Sequence, residues 1–549
     1  MIAVAGLAVI LTAGGAMADV LGIPVYGGPT YDKSSGDGYL INTRNTSIPS
    51  ILGSTAGSGI VNAQQFSSNN NIGYRAICWD DSGWTMELGN LGTTSGGVTN
   101  VYAYATNHSG TVVGYASKYV DGTFGGQCAV RWDSNGVATE LGNLGLDSNG
   151  LIGKGTAYAI NNAGTAVGTA QKYAAGVDMG TRAVRWNASG TAATELGHLG
   201  TDNYGYTYST ALAINASGTC VGSAEKYVAG QDVGYRPVRW DASGTAATEL
   251  QNLGTDNFGA TYCEATALNN SGTCVGFAEK YVAGVDVGFR PVRWDASGKA
   301  TELDILGTGS TGQTWSRPLA INDTGLAVGF VGKFINGVGC GTRAARWDAS
   351  GTEVTELGNI GTDSNGVAFC TAVAVNYSGI AVGYANKNEG NSSVNCQRAV
   401  MWDADGAAVD LNTLIGPSSG WVLEKALGIS QDNWVTGIGS FDPDGTGPLP
   451  AYERAFLMAV PGHVLIPGDA DGNGKVDFND YLVLECNFGT VGSATIDAGD
   501  FNDDGNVDFN DYLVLEANFN TGVAAPEPAT LGLLTLGGLA LIRRRFSQE

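Results

Sequence analysis

The feature that most constrains this chain is a repeat of about 54 residues. Its most regular marker is a tryptophan, which recurs at intervals of 53 to 55 residues. The marker occurs at Trp79, Trp132, Trp186, Trp240, Trp294, Trp347 and Trp402, and Met458 takes its place in an eighth copy. A fixed period of this size is typical of units that stack or lie around an axis, each burying its apolar face against the next. We therefore expect an array of similar units.

Each copy contains four short apolar runs, joined in pairs by turn residues. The first pair is joined by Asn-x-x-Gly, at 107–110, 161–164, 215–218, 269–272, 322–325 and 376–379. The second pair is joined by Asp or Asn and Gly in the same spacing, at 133–136, 187–190, 241–244, 295–298, 348–351 and 403–406. These residues favour type I β-turns. The pattern predicts two β-hairpins per repeat.

The third run alternates, with Val238 and Trp240 on one face and Pro237 and Arg239 on the other. That alternation predicts a strand in a sheet with one buried side. Four antiparallel strands per unit predict a mainly β fold, a β-propeller of about eight four-stranded blades. Seven blades is the alternative count, because the first copy is degenerate, and a β-solenoid is the alternative architecture. The short runs and the 84 glycines exclude a helical solenoid.

The last copy, residues 426–460, lacks a fourth strand. The N-terminal run VLGIPVY, residues 20–26, is predicted to supply it, which would close the ring and cover its exposed edges.

The repeats resemble extracellular HAF-type repeat proteins in AIN…VG (159–168), RAVRW (182–186) and LGHLG (196–200). The resemblance spans about residues 20 to 460 and implies no particular activity.

Residues 1–18 read as a signal peptide, with an apolar run followed by the small-x-small pattern Ala-Met-Ala at 16–18. A buried N-terminal strand is the alternative. The repeat region then covers residues 19–460, and 461–467 form a linker.

A net charge of −24 disfavours nucleic acid and anionic membranes as partners. The nine cysteines occur singly, without Cys-x-x-Cys pairs, so we expect no zinc site and assign no disulfide.

A different duplicate begins at residue 468 and repeats after 31 residues. Oxygen-bearing side chains fall at loop positions 1, 3, 5, 9 and 12, with Gly at position 6 and a backbone carbonyl available at position 7. This spacing predicts two calcium-binding loops of EF-hand type, whose folding depends on Ca2+. The predicted ligands of the first loop are Asp469, Asp471, Asn473, Lys475 (through its carbonyl), Asp477 and Asp480, and those of the second are Asp500, Asn502, Asp504, Asn506 (carbonyl), Asp508 and Asp511. An acidic solvated linker is the alternative.

Two features separate this duplicate from an EF-hand: Asp at position 12, and no helix before either loop. Both make residues 468–520 resemble a type I dockerin. The apolar positions 478, 481, 482, 484 and 488, and their copies at 509, 512, 513, 515 and 519, predict two amphipathic helices that pack together. The resemblance implies a cohesin partner, but Phe-Asn at positions 10 and 11 departs from the Ser-Thr often found there. A calcium-dependent structural spacer is the alternative role.

The C-terminal segment 521–549 combines Pro-Glu-Pro at 526–528, a short apolar helix at 531–542 and three arginines at 543–545. It resembles the PEP-CTERM sorting signal. The resemblance implies recognition by an exosortase-type protease, only transient membrane contact and delivery to the cell surface or extracellular matrix. An ordinary tail anchor is the alternative.

No repeat carries an evident reaction centre. The three histidines, His108, His198 and His463, lack Ser or Cys neighbours that would make a nucleophile. Glutamates recur at 87, 140, 195, 249, 302 and 356, and repetition at one strand position argues for structure, because a catalytic pair needs two unlike environments. Tyrosines 173, 227 and 281 could bind an extracellular polysaccharide or cover blade edges. We expect a non-catalytic binding or structural protein, with a polysaccharide-degrading glycoside hydrolase or lyase as the alternative.

Overall fold

The computed structural model describes most of the repeat region and part of the C-terminal duplicate. The described residues are 25–27, 31–32, 37–41, 58–67, 70–80, 85–107, 109–364, 366–387, 396–416, 418–431, 433–442, 451–460, 468, 470, 476, 478–491, 499–501 and 506–519. The predicted signal peptide, the linker and the C-terminal segment 521–549 lie outside these residues.

The described strands form eight antiparallel units, called sheets 1 to 8 here in chain order, of which the sixth and seventh are joined in one hydrogen-bonded sheet. The first strand, β1 (Tyr26–Gly27), belongs to the last sheet. Sheet 1 contains β2 (Tyr31–Asp32), β3 (Asp37–Ile41), β4 (Ser58–Ser67), β5 (Asn70–Asp80) and β6 (Thr85–Glu87). Sheet 2 contains β7 (Val101–Thr106), β8 (Val112–Val120), β9 (Thr123–Trp132) and β10 (Ala138–Glu140). Sheet 3 contains β11 (Gly155–Ile160), β12 (Ala166–Ala174), β13 (Val177–Trp186) and β14 (Ala193–Glu195).

The following sheets repeat this four-strand order. Sheet 4 contains β15 (Ser209–Ile214), β16 (Cys220–Val228), β17 (Gln231–Trp240) and β18 (Ala247–Glu249). Sheet 5 contains β19 (Cys263–Leu268), β20 (Cys274–Val282), β21 (Val285–Trp294) and β22 (Ala300–Glu302). Sheet 6 contains β23 (Ser316–Ile321), β24 (Ala327–Ile335), β25 (Val338–Trp347) and β26 (Val354–Glu356).

The last two sheets complete the set. Sheet 7 contains β27 (Ala368–Val375), β28 (Ala381–Lys387), β29 (Cys396–Trp402) and β30 (Ala408–Asp410), and a 3-10 turn follows at Leu411–Thr413. A short parallel pairing between β25 and β27 joins sheets 6 and 7. Sheet 8 contains β31 (Trp421–Ile429), β32 (Trp434–Phe441), β33 (Tyr452–Ala459) and β1. The prediction of a mainly β fold built from four-stranded units is confirmed.

Apolar clusters connect the eight sheets in a cycle. Each sheet contributes buried residues to a cluster shared with the sheet before it and to another shared with the sheet after it. The cycle closes where Leu427, Ile438 and Leu457 of sheet 8 pack against Val61 and Ile77 of sheet 1. This arrangement, with eight units among the described residues, is β-propeller-like.

The predicted N-terminal closure is confirmed in its last part. Tyr26 and Gly27 pair with Leu457 and Phe456, so β1 occupies the fourth-strand position of sheet 8. Residues 20–24 of the predicted run lie outside the described part of the chain. Sheet 8 is therefore built from both ends of the repeat region.

The prediction that each sheet buries one side is wrong. In β17 the five residues from Arg236 to Trp240 are all buried, including both arginines. Each sheet lies between two others, so both of its faces are covered. Along the third strand, alternate side chains contact the preceding sheet and the following sheet. The alternation therefore does not distinguish buried side chains from solvent-exposed ones.

Polar side chains also bind one repeat to the next. The indole Nε1 of Trp240 donates to Gly197 O of the preceding repeat at 2.9 Å, and five other repeat tryptophans make the same bond. Arg185 donates to Asp241 O and Ala242 O of the following repeat, both at 2.8 Å. These bonds satisfy buried donors that a simple apolar interface would leave unpaired.

The predicted hairpin turns are confirmed, and they lie at one end of the sheets. In the first turn of sheets 2 to 7 the Gly N–H donates to the Asn carbonyl, as Gly218 does to Asn215 at 3.0 Å. The Asp or Asn turns close in the same way, as in Gly136 to Asp133 at 2.9 Å. We call this end of the ring the Asn-turn face. The second and third strands meet at the opposite end, which we call the hairpin face, in two-residue turns at 121–122, 175–176, 229–230, 283–284 and 336–337.

The C-terminal duplicate contains two helices, α1 (Phe478–Asn487) and α2 (Phe509–Asn518). They pack together as predicted, through a cluster that buries Tyr481, Leu484, Tyr512 and Leu515. The expectation that positions 482 and 513 belong to this apolar face is wrong, because Leu482 and Leu513 are 41% and 47% exposed. Among the described residues no helix is long and apolar enough to cross a membrane.

Candidate functional site

The repeated glutamates lie on the fourth strand, or its equivalent, of six sheets and pair with cations of the same sheet. Glu249 is typical: Lys226 on the second strand lies 2.8 Å from its Oε2, and Arg236 on the third strand lies 3.3 Å from its Oε1. Corresponding pairs are Arg75–Glu87, Lys118–Glu140, Lys172–Glu195, Lys280–Glu302 and Lys333–Glu356. The equivalent carboxylate of each of these six sheets is therefore paired with a Lys, an Arg or both.

Sheet 2 departs from this pattern through Cys128, which takes the place of the buried arginine. Its Sγ lies 3.5 Å from Glu140 Oε1, while Lys118 keeps the other carboxylate oxygen at 2.8 Å. Burial raises the pKa of the Cys128 thiol to about 12, so it remains protonated at neutral pH. All nine cysteines are free thiols, and Cys486 on α1 is exposed.

His198 has a structural role in the loop between sheets 3 and 4. Its Nδ1 accepts the N–H of Gly200 at 3.2 Å, which is the bond that Asn143 Oδ1 makes with Gly145 and Asn252 Oδ1 makes with Gly254. Burial, together with the charge of Arg182, lowers the pKa of His198. The imidazole therefore replaces an asparagine amide. His108 and His463 lie outside the described residues.

The three tyrosines of the Lys-Tyr-x-x-Gly segments, Tyr173, Tyr227 and Tyr281, cover loop junctions on the hairpin face. Tyr227 donates its hydroxyl to Glu225 and its N–H to Leu199 O of the preceding loop, both at 3.1 Å. Tyr281 makes the corresponding hydroxyl bond to Glu279 at 3.0 Å. Of the two roles considered from the sequence, covering the edges fits these half-buried side chains.

A second set of aromatic residues was not identified from the sequence. They stand seven positions before the asparagine of the first turn: Tyr208, Tyr262, Trp315 and Phe369, in sheets 4 to 7. The first strands of neighbouring sheets contact one another around the ring, so these strands are its innermost elements. Each strand ends at the Asn-turn face and begins at the hairpin face. The four aromatic residues therefore lie at the inner edge of the hairpin face, and we call them the inner rim.

Three of the four rim side chains are exposed and that of Tyr262 is half-buried. Tyr208, Trp315 and Phe369 are 36%, 46% and 49% exposed. The N–H groups of Tyr208 and Tyr262 donate to Glu225 and Glu279 on the neighbouring second strands, both at 2.9 Å. A signal for this set existed in the sequence, since one register position is aromatic in four consecutive repeats.

Charged groups lie beside the rim. Two residues after Tyr262 and Trp315, the inner strands carry Glu264 and Arg317. Burial raises the pKa of the Glu264 carboxyl, and the Arg317 charge opposes that rise. The Arg317 guanidinium lies over the Phe277 ring, 3.8 Å from its centroid, and the Tyr262 ring lies 5.6 Å from the same ring. This part of the rim combines apolar surface with hydrogen-bonding groups.

The Asn-turn face also has a depression, of about 260 Å³, at the ring axis. It is lined by apolar residues such as Ile214 and Leu268 and by turn residues such as Asn270 and Asp323. These polar groups bind each other, since Asn270 Nδ2 donates to Asp323 Oδ2 at 2.7 Å.

Five of the twelve predicted calcium ligands lie among the described residues. Asp480, Asp500 and Asp511 are fully buried, and Asn506 and Asp508 are also placed. Asp511 Oδ1 accepts the N–H of Phe501 at 2.8 Å, and Asp480 Oδ1 accepts that of Ala470 at the same distance. The two position-12 carboxylates are thus equivalent. Asp469, Asp471, Asn473, Lys475, Asp477, Asn502 and Asp504 lie outside the described residues.

The loops are therefore only partly placed. No group of three or more His, Cys, Asp or Glu side chains positioned for a metal occurs within the described ranges. What the structure provides is two matching carboxylates, each buried at the start of its helix and each turned toward the backbone of its own loop.

The fold and the C-terminal match together define the class of protein. The chain forms a β-propeller-like ring, and residues 524–545 match the PEP-CTERM protein-sorting motif. That motif implies recognition by an exosortase. The protein is accordingly an exported protein of the cell surface or the exterior. No curated protein sequence matches the chain.

Several solved structures match the chain at low similarity. The β-propeller domain of the Trilobed protease from Pyrococcus furiosus matches at 8% identity and a TM-score of 0.37, over 65% of this chain and 93% of that one. Puromycin hydrolase matches at 13% identity and a TM-score of 0.39, over 73% of this chain and 60% of that one. Polysaccharide lyase Uly1 matches at 9% identity and a TM-score of 0.32, over 80% and 97%. At these scores the matches carry no argument about activity.

Proposed function

We propose that this exported protein is a non-catalytic binding or structural component of the cell surface, with a ring of eight blades and a calcium-dependent, dockerin-like module for attachment. The observation that carries the proposal is the use of the repeated glutamates. Each is held by a Lys or Arg of its own sheet, as Glu249 is by Lys226 and Arg236. Carboxylates in such ion pairs stabilise the sheet, whereas a glycosidase needs one carboxyl group as acid and another as base, in different surroundings.

The second half of the proposal concerns the helix pair. Asp480 and Asp511 are buried at equivalent positions, and both turn toward their own loop backbone. The EF-hand-type spacing of the loop sequences predicts further carboxylate and amide ligands for each site. Ca2+ held there would offset the repulsion among these acids and couple folding of the module to the cation.

Turnover assays on the purified full chain test the non-catalytic role. Incubation with a panel of neutral and acidic polysaccharides should release no new reducing ends and no unsaturated products. Glu249→Gln serves as the matched variant, because it keeps the shape of the side chain but loses its charge. Release of products by the wild-type chain that Glu249→Gln abolishes would establish the enzyme alternative.

Calcium removal tests the attachment module. When Ca2+ is removed by a chelator, the full chain should lose the helical circular-dichroism signal of α1 and α2 and retain the β signal of the ring. Added Ca2+ should restore the helical signal, and its titration should show two binding events. Asp500→Ala should remove one event, because it deletes the first ligand of the second loop. An unchanged helical signal after chelation would contradict a calcium-dependent module.

A further inference from the structure

We propose that the inner rim, formed by Tyr208, Tyr262, Trp315 and Phe369 with Glu264 and Arg317 beside it, binds a neutral polysaccharide chain. The inference deepens the proposed binding role and rests on it. It assigns a ligand class and a face of the ring to that role.

The fold does not require aromatic residues at these positions. The same register position is Asn100 in sheet 2 and Lys154 in sheet 3, and both sheets form the same four strands in the same order. Large aromatic side chains are normally kept largely buried, yet Trp315 and Phe369 are close to half exposed. Four consecutive repeats therefore carry an aromatic ring at this edge, of which those of Tyr208, Trp315 and Phe369 are exposed and that of Tyr262 is half-buried.

The arrangement suits a ligand that itself repeats. Neighbouring first strands contact one another, so the four rings follow each other along an arc of adjacent sheets. A small ligand would need one such ring, whereas a polymer can place successive units on successive rings.

The charges around the rim favour a neutral, hydroxyl-rich polymer. Glu225, Glu264 and Glu279 all lie close to the aromatic residues, and the whole chain carries a charge of −24, so anionic polymers and nucleic acids are repelled. A pyranose ring has a C–H face that packs on an aromatic ring and hydroxyls that donate to carboxylates or accept from a guanidinium. Glu264 and Arg317 offer these two groups on adjacent inner strands.

Affinity electrophoresis of the full chain tests the proposal. The gels contain hydroxyethyl cellulose, xylan or galactomannan as neutral probes, alginate as the anionic probe and gelatin as the peptide probe. At least one neutral polymer should retard the wild-type chain. Trp315→Ala should weaken that retardation by about tenfold or more, since it removes a central aromatic anchor.

The matched control is Phe258→Ala, which removes an aromatic residue that is 89% exposed on a loop of the hairpin face and outside the rim. It should leave retardation unchanged, and thermal unfolding should show that both variants retain the fold. The proposal is overturned if no neutral polymer retards the wild-type chain, if alginate or gelatin alone does so, or if both variants behave alike. If the helix pair still depended on calcium and no polysaccharide were cleaved, these outcomes would overturn only the assignment of the inner rim. The proposed non-catalytic surface role would be unaffected.

Discussion

The Asn side chain has an NH2 donor group that a carboxylate lacks, and the two turn types of each repeat use that difference. In the first turn, Asn215 Oδ1 accepts the N–H of Thr219, while its Nδ2 donates to Asn269 O of the next repeat at 3.2 Å. Equivalent bonds run from Asn107, Asn161, Asn269 and Asn322, and Asn376 donates to the side chain of Asn433. In the second turn the side chain only accepts, so Asp serves as well as Asn.

Asn215→Asp should therefore destabilise the ring. The carboxylate would be buried, would lose its bond to Asn269 O and would face that carbonyl oxygen instead. We expect a loss of about 1–3 kcal/mol in the free energy of unfolding, measured by urea denaturation at neutral pH. The control is Asp133→Asn in the second turn, where Asn187 already stands one repeat later, and it should change stability by less than about 0.5 kcal/mol. Equal effects of the two variants would contradict the interrepeat role of the amide.

His198 gives the ring a pH-dependent contribution of definite sign. Burial lowers its pKa in the folded state below the usual value of 6.5, so the unfolded chain binds the proton more readily. The stability contributed by neutral His198 is thus fully present above pH 6.5 and is lost as the pH falls through the lowered folded-state pKa. The folded imidazole uses Nδ1 as an acceptor, and a proton there would break the bond to Gly200.

His198→Asn should abolish this contribution without breaking the loop, because Asn occupies the equivalent position in neighbouring repeats. The urea midpoint of the wild-type chain should fall more than that of the variant between neutral pH and about pH 5. A parallel fall in both chains would show that His198 does not titrate with folding.

At the scale of the element, the central hairpin of each repeat has the unusual backbone. Ala229 and Gly230 have φ values of 51° and 78°, which place both residues of the turn in the left-handed region. This is the type I′ geometry that twisted hairpins favour, and Asn-Gly is its preferred sequence. Sheet 6 has Asn336 and Gly337 there, whereas sheets 3 to 5 have Ala-Gly.

Ala229→Asn should stabilise the protein by roughly 0.5–1 kcal/mol, because Asn tolerates a positive φ better than Ala. Asn336→Ala makes the reverse change in an equivalent turn and should destabilise by a similar amount. Thermal unfolding of the two variants measures both shifts. If both variants shifted the unfolding temperature in the same direction, side-chain contacts around the two hairpin turns would outweigh the backbone preference.

The sequence predicted those elements whose signals are local. Turn residues such as Asn107 and Gly110 predicted the hairpins, and the spacing of Tyr481 and Leu484 predicted a helix. The covering of both sheet faces was not predictable from β17, because alternation reports which side chains share a face and not what covers each face. The inner rim was missed for a related reason: Trp315 matters only through its register with Tyr208 and Phe369, and register becomes visible when strands are aligned on the ring.

At the scale of the whole molecule, the contact between the first and last sheets is small within the described ranges. There Tyr26 and Gly27 pair β1 with β33, and Val61 and Ile77 of sheet 1 pack against sheet 8. An exported chain lacking residues 19–28 should keep its sheets but expose the edge of β33. We expect a lower thermal midpoint and concentration-dependent association in gel filtration.

The matched control lacks residues 19–24 only and keeps β1. It should behave as the full chain does, because the paired residues remain. If the chain lacking residues 19–28 were monomeric and as stable as the full chain, the apolar clusters between the sheets would close the ring without β1.

The shared strand also sets an order of events during export. Tyr26 is near the beginning of the chain and its partner Leu457 is more than four hundred residues later, so β1 has no partner while the chain is still crossing the membrane. Blades 2 to 7 are each contiguous in sequence and can form as they emerge, but the ring can be completed only after residue 459 has passed. Translocation that stops early would leave an incomplete circle with an open seam, the part of the molecule most accessible to proteases and to neighbouring chains.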